Sequence, residues 1–367
     1  MGTALAAGGL PELTHVLASG YNGPPELTVP RAFTEWTFDP WMAALIVVLA
    51  AGYLAGVRRV GDWPLAHRIW FLGLGLGFLV IATMSWVAAY MPVLFYARAV
   101  QTVLLVLLVP LFLALGRPIS LFIAVFPRAG ARLEAAIRSR PARIITFPAI
   151  TTFALVGVPF VMYFTGWYSA VFRSGTVREL TFLALLAAGL AFFWTLLRVD
   201  PVPKQYSYGV SMWITGAEVI GDAFLGLAVI ADQNLIGADW YHALARPWGP
   251  TLQTDQVLGG GVLWILGDLV GLPFLAVQLI QLMREDESDA ARIDAELDAR
   301  DAQLQQTQLQ QTQLQQTQLQ PAHVAAGGAN DATDAKDAPD GDDGPAQQQE
   351  PRPWWEDDPR FTERFKS

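Results

Sequence analysis

Apolar positions in this chain gather into seven long runs, at residues 41–57, 69–90, 94–116, 142–164, 179–198, 209–231 and 257–283, separated by short polar stretches. Each run is close to the roughly 20 residues a helix needs to cross the hydrocarbon of a bilayer. With no water there to satisfy backbone groups, a helix is the state such segments adopt. The pattern predicts an all-α polytopic membrane protein with seven transmembrane helices over residues 41–283. Residues 1–40 read as a polar, proline-bearing extracytoplasmic segment. Phe33, Trp36, Phe38 and Trp41 cluster where the first run begins, as aromatic rings do at a membrane interface.

Beyond Met283 the pattern changes. Residues 284–367 read as a low-complexity, largely disordered cytoplasmic tail. Its first stretch, 284–302, is charged and suited to prolonging the last helix. A repeat of five, Gln303-Leu304-Gln305-Gln306-Thr307, then recurs to Gln320. That period matches neither 3.5 nor 3.6, so its leucines form no seam and it reads as a spacer. The Ala-, Gly-, Pro- and Asp-rich stretch that follows lacks the apolar content of a core. Trp354 and Trp355, set among acidic residues near the end, read either as a docking motif or as a chance aromatic pair.

Composition sharpens this picture in two places. The chain is 53% hydrophobic and 16% charged, with a net charge of −9. That charge belongs to the tail: from Arg284 onward acidic residues outnumber basic ones 19 to 8, against 14 to 16 before it. Arg58, Arg59, Arg68, Arg117, Arg128, Arg132, Arg138, Arg140, Arg143, Arg198 and Lys204 flank the first, third and fifth connections. The positive-inside rule therefore predicts a multi-pass plasma-membrane protein with its N-terminus outside and its C-terminus cytoplasmic. The chain has no cysteine, hence no disulfide or thiolate ligand. The N-terminus lacks a basic stretch followed by an apolar run, so no cleavable signal peptide is expected.

Candidate chemistry sits in a few polar positions within the runs. Asp255 and Gln256 open the seventh, followed by Gly259, Gly260 and Gly261, small residues of the kind that let membrane helices approach closely. Arg98 lies near the outer mouth of the third. Glu218 and Asp222 are four apart on the sixth and share a face, and Asp268 lies deeper on the seventh. Charges inside a membrane are costly and should pair or line a wet cavity. One expectation is an Arg98–Asp255 ion pair forming an outer polar site with Gln256; the other is that Arg98 snorkels to lipid phosphate. Met84, Met91 and Met162, with His242 in the adjoining loop, are the candidates for a thioether-rich Cu(I) site, against the simpler reading of Met as a gap-filler. No catalytic triad or phosphate-cradling loop is present, so no enzyme is expected. No basic patch with interleaved aromatics suggests a nucleic-acid partner.

Several short segments, in order, resemble a known family. They are Trp36-Thr37-Phe38-Asp39-Pro40; Gly56-Val57-Arg58-Arg59; Leu115-Gly116-Arg117-Pro118; Gly189 to Trp194 followed by Asp200-Pro201-Val202-Pro203; and Asp255-Gln256 with Gly259-Gly260 and Trp264. Together they resemble the CtaG family of cytochrome c oxidase assembly proteins, in the form found in actinobacteria. The resemblance covers about residues 33 to 283. It implies a plasma-membrane factor that helps assemble the oxidase, with copper as candidate cargo and oxidase subunits as candidate partners beside the bilayer itself. The family carries a His-x-x-x-His pair on the outer half of the third span. Here those positions are Arg98 and Thr102. None of the four histidines, His15, His67, His242 and His323, falls within a predicted span. Two other readings stay open: a divergent relative without metal that acts as a structural partner in the envelope, and a small-solute or proton-coupled transporter using Glu218, Asp222 and Asp268.

Overall fold

The computed structural model describes residues 21–203 and 208–325, and every regular element among them is helical. Six helices are long and apolar enough to cross a membrane: Pro40–Val60, Leu65–Tyr90, Phe95–Val125, Gly175–Leu197, Gly209–Ala231 and the apolar part of Leu252–Ala325. A bent pair, Pro148–Tyr163 and Trp167–Arg173, meeting at 72°, makes a seventh if counted as one span. Together these form a polytopic membrane protein, and they are numbered here first to seventh in chain order. The end of the bundle where the odd-numbered spans begin is the head; the other is the base.

Boundaries depart from the apolar pattern where polar chemistry overrides it. The fourth run was expected from 142. A break at Thr146-Phe147 instead leaves Arg140–Ile145 as a separate short helix, because Pro148 can start a helix but cannot continue one. The third run continues past 116 to Val125, through a kink at Arg117, whose backbone is left-handed at φ 55°. The last helix does not stop near 283: the glutamine-rich repeat is helical as far as Ala325. Gln, Leu and Ala are good helix formers, and no glycine or proline interrupts them between Pro273 and Pro321. Ile293 onward belongs to a separate compact unit, where the described side chains are exposed. Trp354 and Trp355 lie outside the described residues.

The third span is the core of the bundle, 72% buried along its most apolar window, against 22% for the first span. It packs on the second and fifth spans, and the fifth packs on the fourth. Two stretches widen into π-helix, Ile69–Gly75 and Leu104–Leu108, in the second and third spans. The sixth and seventh spans touch backbone to backbone. A Cβ at Gly260 would lie 2.8 Å from the Gly226 carbonyl, so a larger residue there would push the helices apart.

Candidate functional site at the head of the bundle

The aspartates in the motif segments act as helix caps. A helix start leaves backbone N–H groups without intrahelical partners. Asp39 caps its own helix, its Oδ1 accepting from the N–H groups of Trp41 and Met42 at 3.0 and 3.1 Å. Asp255 caps a different one: its carboxylate accepts from Phe95 and Tyr96, at the start of the third span, at 3.0 and 3.1 Å. Asp200 does the same at the base, accepting from Ile119 at 3.2 Å and from Ser120 N–H at 2.8 Å. There Arg117 Nε also donates to the Val199 carbonyl at 2.5 Å.

Gln256 performs the complementary task. Its Nε2 lies 3.1–3.2 Å from the carbonyls of Val229, Asp232 and Asn234, where the sixth span ends, and its Oε1 accepts from Ile236 N–H at 2.8 Å. Adjacent residues on the seventh span thus hold the beginning of the third and the end of the sixth. Asp255 is also the ion-pair partner of Arg246, at 3.2 Å, with both side chains at most 2% exposed. Arg246 stacks over Trp248, 4.9 Å from its ring centre, and donates to the Pro250 carbonyl. Tyr21 and Tyr90 meet Trp248 edge-on and close this corner. Burial pushes the Tyr21 hydroxyl pKa up to about 12, so it stays a neutral donor, to the Pro24 carbonyl.

The expected Arg98–Asp255 ion pair does not form. Asp255 is taken by the cap and by Arg246, while Arg98 lies further along the third span and turns inward. Nor does Arg98 snorkel, since it is 0% exposed. Its Nη1 donates to Gln101 Oε1 at 2.5 Å and its Nη2 to the Met162 sulfur at 3.0 Å, with the guanidinium 5.9 Å from the Phe182 ring centre. Its Nε has no partner, and it makes no ion pair among the described residues. Gln101 is anchored in turn by the Ala82 carbonyl at 2.7 Å. Thr102 Oγ1 donates back to the Arg98 carbonyl and meets the Tyr163 hydroxyl at 3.1 Å. Tyr163, Tyr168 and Tyr241 ring Phe95, with the Tyr168 and Tyr241 hydroxyls 2.7 Å apart. Burial pushes the Tyr241 hydroxyl pKa upward, so it stays neutral, and either hydroxyl of the pair can donate to the other.

The four copper candidates stand in different surroundings. The Met162 sulfur receives a guanidinium N–H, and a fixed cation 3.0 Å from a thioether repels a metal ion from it. Met91 is buried and lines a cavity of about 210 Å³ with Asp39, Thr83, Gln101, Arg178 and Phe182. Met84 is half-buried and His242 is exposed. Among the described residues no group of three or more His, Asp or Glu side chains is placed to hold a metal ion.

Glu218, Asp222 and Asp268 are brought toward one seam between the sixth and seventh spans. A Cβ at Gly267 would lie 2.7 Å from Asp222 Oδ2, and one at Gly271 3.1 Å from Glu218 Oε2, so glycines face both carboxylates. Asp268 Oδ1 has no hydrogen-bond partner among the described residues. The seam continues to Thr215, which donates to Gln278 at 3.1 Å. Arg246, Gln101 and Gln278 had no distinguishing signal in the sequence. Asp39-Pro40, by contrast, is the pattern of a cap followed by a first-turn proline.

A family model described as cytochrome c oxidase caa3 assembly factor (Caa3_CtaG) matches residues 51–285. The chain is also similar to uncharacterized proteins of Mycobacterium bovis and Mycobacterium tuberculosis, each 32% identical over 305 residues, covering 78% of this chain and 46% of the relative. An uncharacterized protein of Mycobacterium leprae is 28% identical over 292 residues, covering 76% and 44%. The chain thus spans a little under half the length of these curated relatives. No solved structure matches.

Proposed function

Since the chain belongs to the cytochrome c oxidase caa3 assembly factor family, we propose that it assists assembly of a respiratory oxidase as a non-catalytic membrane factor, without binding copper at the core of its own bundle. The observation that carries the second half is the contact of Arg98 with Met162. Arg98 stands where the resemblance implies a ligand, and its guanidinium occupies the sulfur that a soft metal would need. The polar centre is then a fixed-cation staple: Arg98, Gln101, Met162 and Thr102 tie the third span to the second and fourth. In this reading the head faces outward from the plasma membrane. The arginines gathered at the base support that orientation through the positive-inside rule. The head, with its capped loops and the cavity beside Gln101, is the face offered to an oxidase subunit.

Two measurements test this reading. Cells lacking the protein should lose assembled oxidase, seen as the haem a band in reduced-minus-oxidised spectra, and added copper should not restore it. Unchanged oxidase would sink the assembly role. Restoration by copper alone would return copper delivery to this protein. The purified chain loaded with Cu(I) should hold no stoichiometric copper, and copper lost on replacing Met162 would overturn the metal-free reading.

A second reading, proton-coupled transport, is favoured by one observation: three carboxylates share the seam between the sixth and seventh spans, with Asp268 Oδ1 unpartnered. Flux that collapses in Glu218→Gln or Asp222→Asn would support it.

A further inference from the structure

A cavity lies far from this polar centre, on the side of the bundle near the base. It has a volume of about 480 Å³, within the range of small-ligand pockets. One wall is the first span, from Val48 to Arg59; the other is the stretch from Pro118 to Phe126, with Phe71 at the back. Its lining is apolar but for two groups. Tyr53 is the first, and its hydroxyl is already engaged, 2.8 Å from the Gly116 carbonyl and 3.0 Å from that of His67. Arg59 is the second. It is exposed, makes no ion pair among the described residues, and is held over the Phe126 ring at 5.4 Å. Arg58 and Arg128, beside these two in sequence, likewise have no ion-pair partner among the described residues. The floor of the groove is open at Gly52, where a Cβ would meet nothing within 4 Å.

We propose that this groove binds an anionic phospholipid, with one acyl chain lying along Gly52 and Leu121 and the headgroup phosphate on Arg59. The wall is a membrane span, so the solvent it meets is lipid. An apolar trough would accept any acyl chain. What selects the headgroup is charge: a guanidinium already fixed on an aromatic face gives up little freedom when a phosphate docks, and a basic pocket between spans is the recurring form of such sites. The alternative occupant, a helix of a second copy packed at Gly52 and Gly56, would have to bury Arg59 without a counter-charge.

The test is native mass spectrometry of the full chain released from nanodiscs containing phosphatidylglycerol or phosphatidylcholine with the same acyl chains. The wild-type protein should retain phosphatidylglycerol preferentially. Arg59→Gln should reduce that preference roughly fivefold, the factor that about 1 kcal/mol for one arginine at an anionic surface corresponds to. Gly52→Leu, which the open floor accommodates, should displace both lipids alike. Equal retention of the two headgroups by the wild type would overturn the proposal without any variant. An undiminished preference in Arg59→Gln would do so too, as would conversion of a dimer to a monomer by Gly52→Leu.

Discussion

Replacing Asp255 should damage the protein more than any other single change at the head, and the damage should be largely reversible by a second substitution. Asp255→Ala removes two hydrogen bonds to the N–H groups of Phe95 and Tyr96 and leaves Arg246 with no ion-pair partner at 2% exposure. Loss of a cap alone costs about 0.5–2 kcal/mol. Removing one partner of a buried ion pair costs about 3–5 kcal/mol, because the remaining charge is uncompensated. The second term is the larger, so the single mutant should lose about 4–6 kcal/mol in all. Arg246→Met is milder, since Asp255 keeps its two backbone donors. In the double mutant the stranded charge is gone and only the cap is missing, about 0.5–2 kcal/mol. The cycle should therefore be strongly non-additive, by about 2–3 kcal/mol or more. Reversible unfolding in mixed detergent micelles, followed by circular dichroism, measures all four corners. If the double mutant costs the sum of the singles, Arg246 is not being neutralised by Asp255 and the reasoning fails.

Other outcomes follow from neighbouring geometry. Gln256→Leu should destabilise by about 1–3 kcal/mol, the cost of leaving a buried polar group unsatisfied, and hydrogen exchange should rise first at Ile236 and at the end of the sixth span. Arg98→Met should destabilise by no more than about 1–3 kcal/mol, the cost of leaving the buried Gln101 Oε1 without its donor, because the desolvation penalty of an unpaired buried charge is removed at the same time; a larger loss in thermal unfolding would show that the Arg98 charge is compensated by a group not identified above. Asp239 accepts from the Ser169 hydroxyl and pairs with Arg173, which hold its carboxyl pKa below the ordinary value. That contact contributes stability above the unfolded pKa of about 4 and loses it as pH falls through the lower folded value, so the loop Gly237–Leu244 should loosen only in strong acid, as read by proteolysis at the head.

The architecture was open to reading because its signal is coarse. Seven apolar runs in a chain that must satisfy its backbone inside lipid leave only helices, and the runs mark where those helices lie. What could not be read was which side chain meets which. Asp255 was singled out and placed at a span mouth. Yet its partners, Phe95, Tyr96 and Arg246, lie 160, 159 and 9 positions away, and nothing in local spacing separates them from Arg98. Choosing Arg98 followed the rule that opposite charges in a membrane pair. The rule holds for Asp255 with a different arginine, Arg246 in the adjoining loop, while backbone donors at the start of the third span take up the rest of the carboxylate. The kink at Arg117 and the break at Thr146-Phe147 follow from visible prolines, whereas the glutamine-rich repeat carries two opposed signals, a period that forms no seam and a composition that favours helix, and the composition prevails.

The double grip of Asp255 and Gln256 bears on how the chain is made. A ribosome adds about 5–20 residues per second. The third span's first turn therefore waits roughly 8–30 s for the residue that caps it, which arrives 160 positions later. Arg246, nine positions before that residue, arrives only at the end of the interval, and the sixth span, once inserted, ends in unsatisfied carbonyls. A product lacking the seventh span would have two helix ends at the head without the side chains that satisfy them. Completion of the last span is thus a single event that seals two earlier ones, and it distinguishes a finished molecule from an abandoned one.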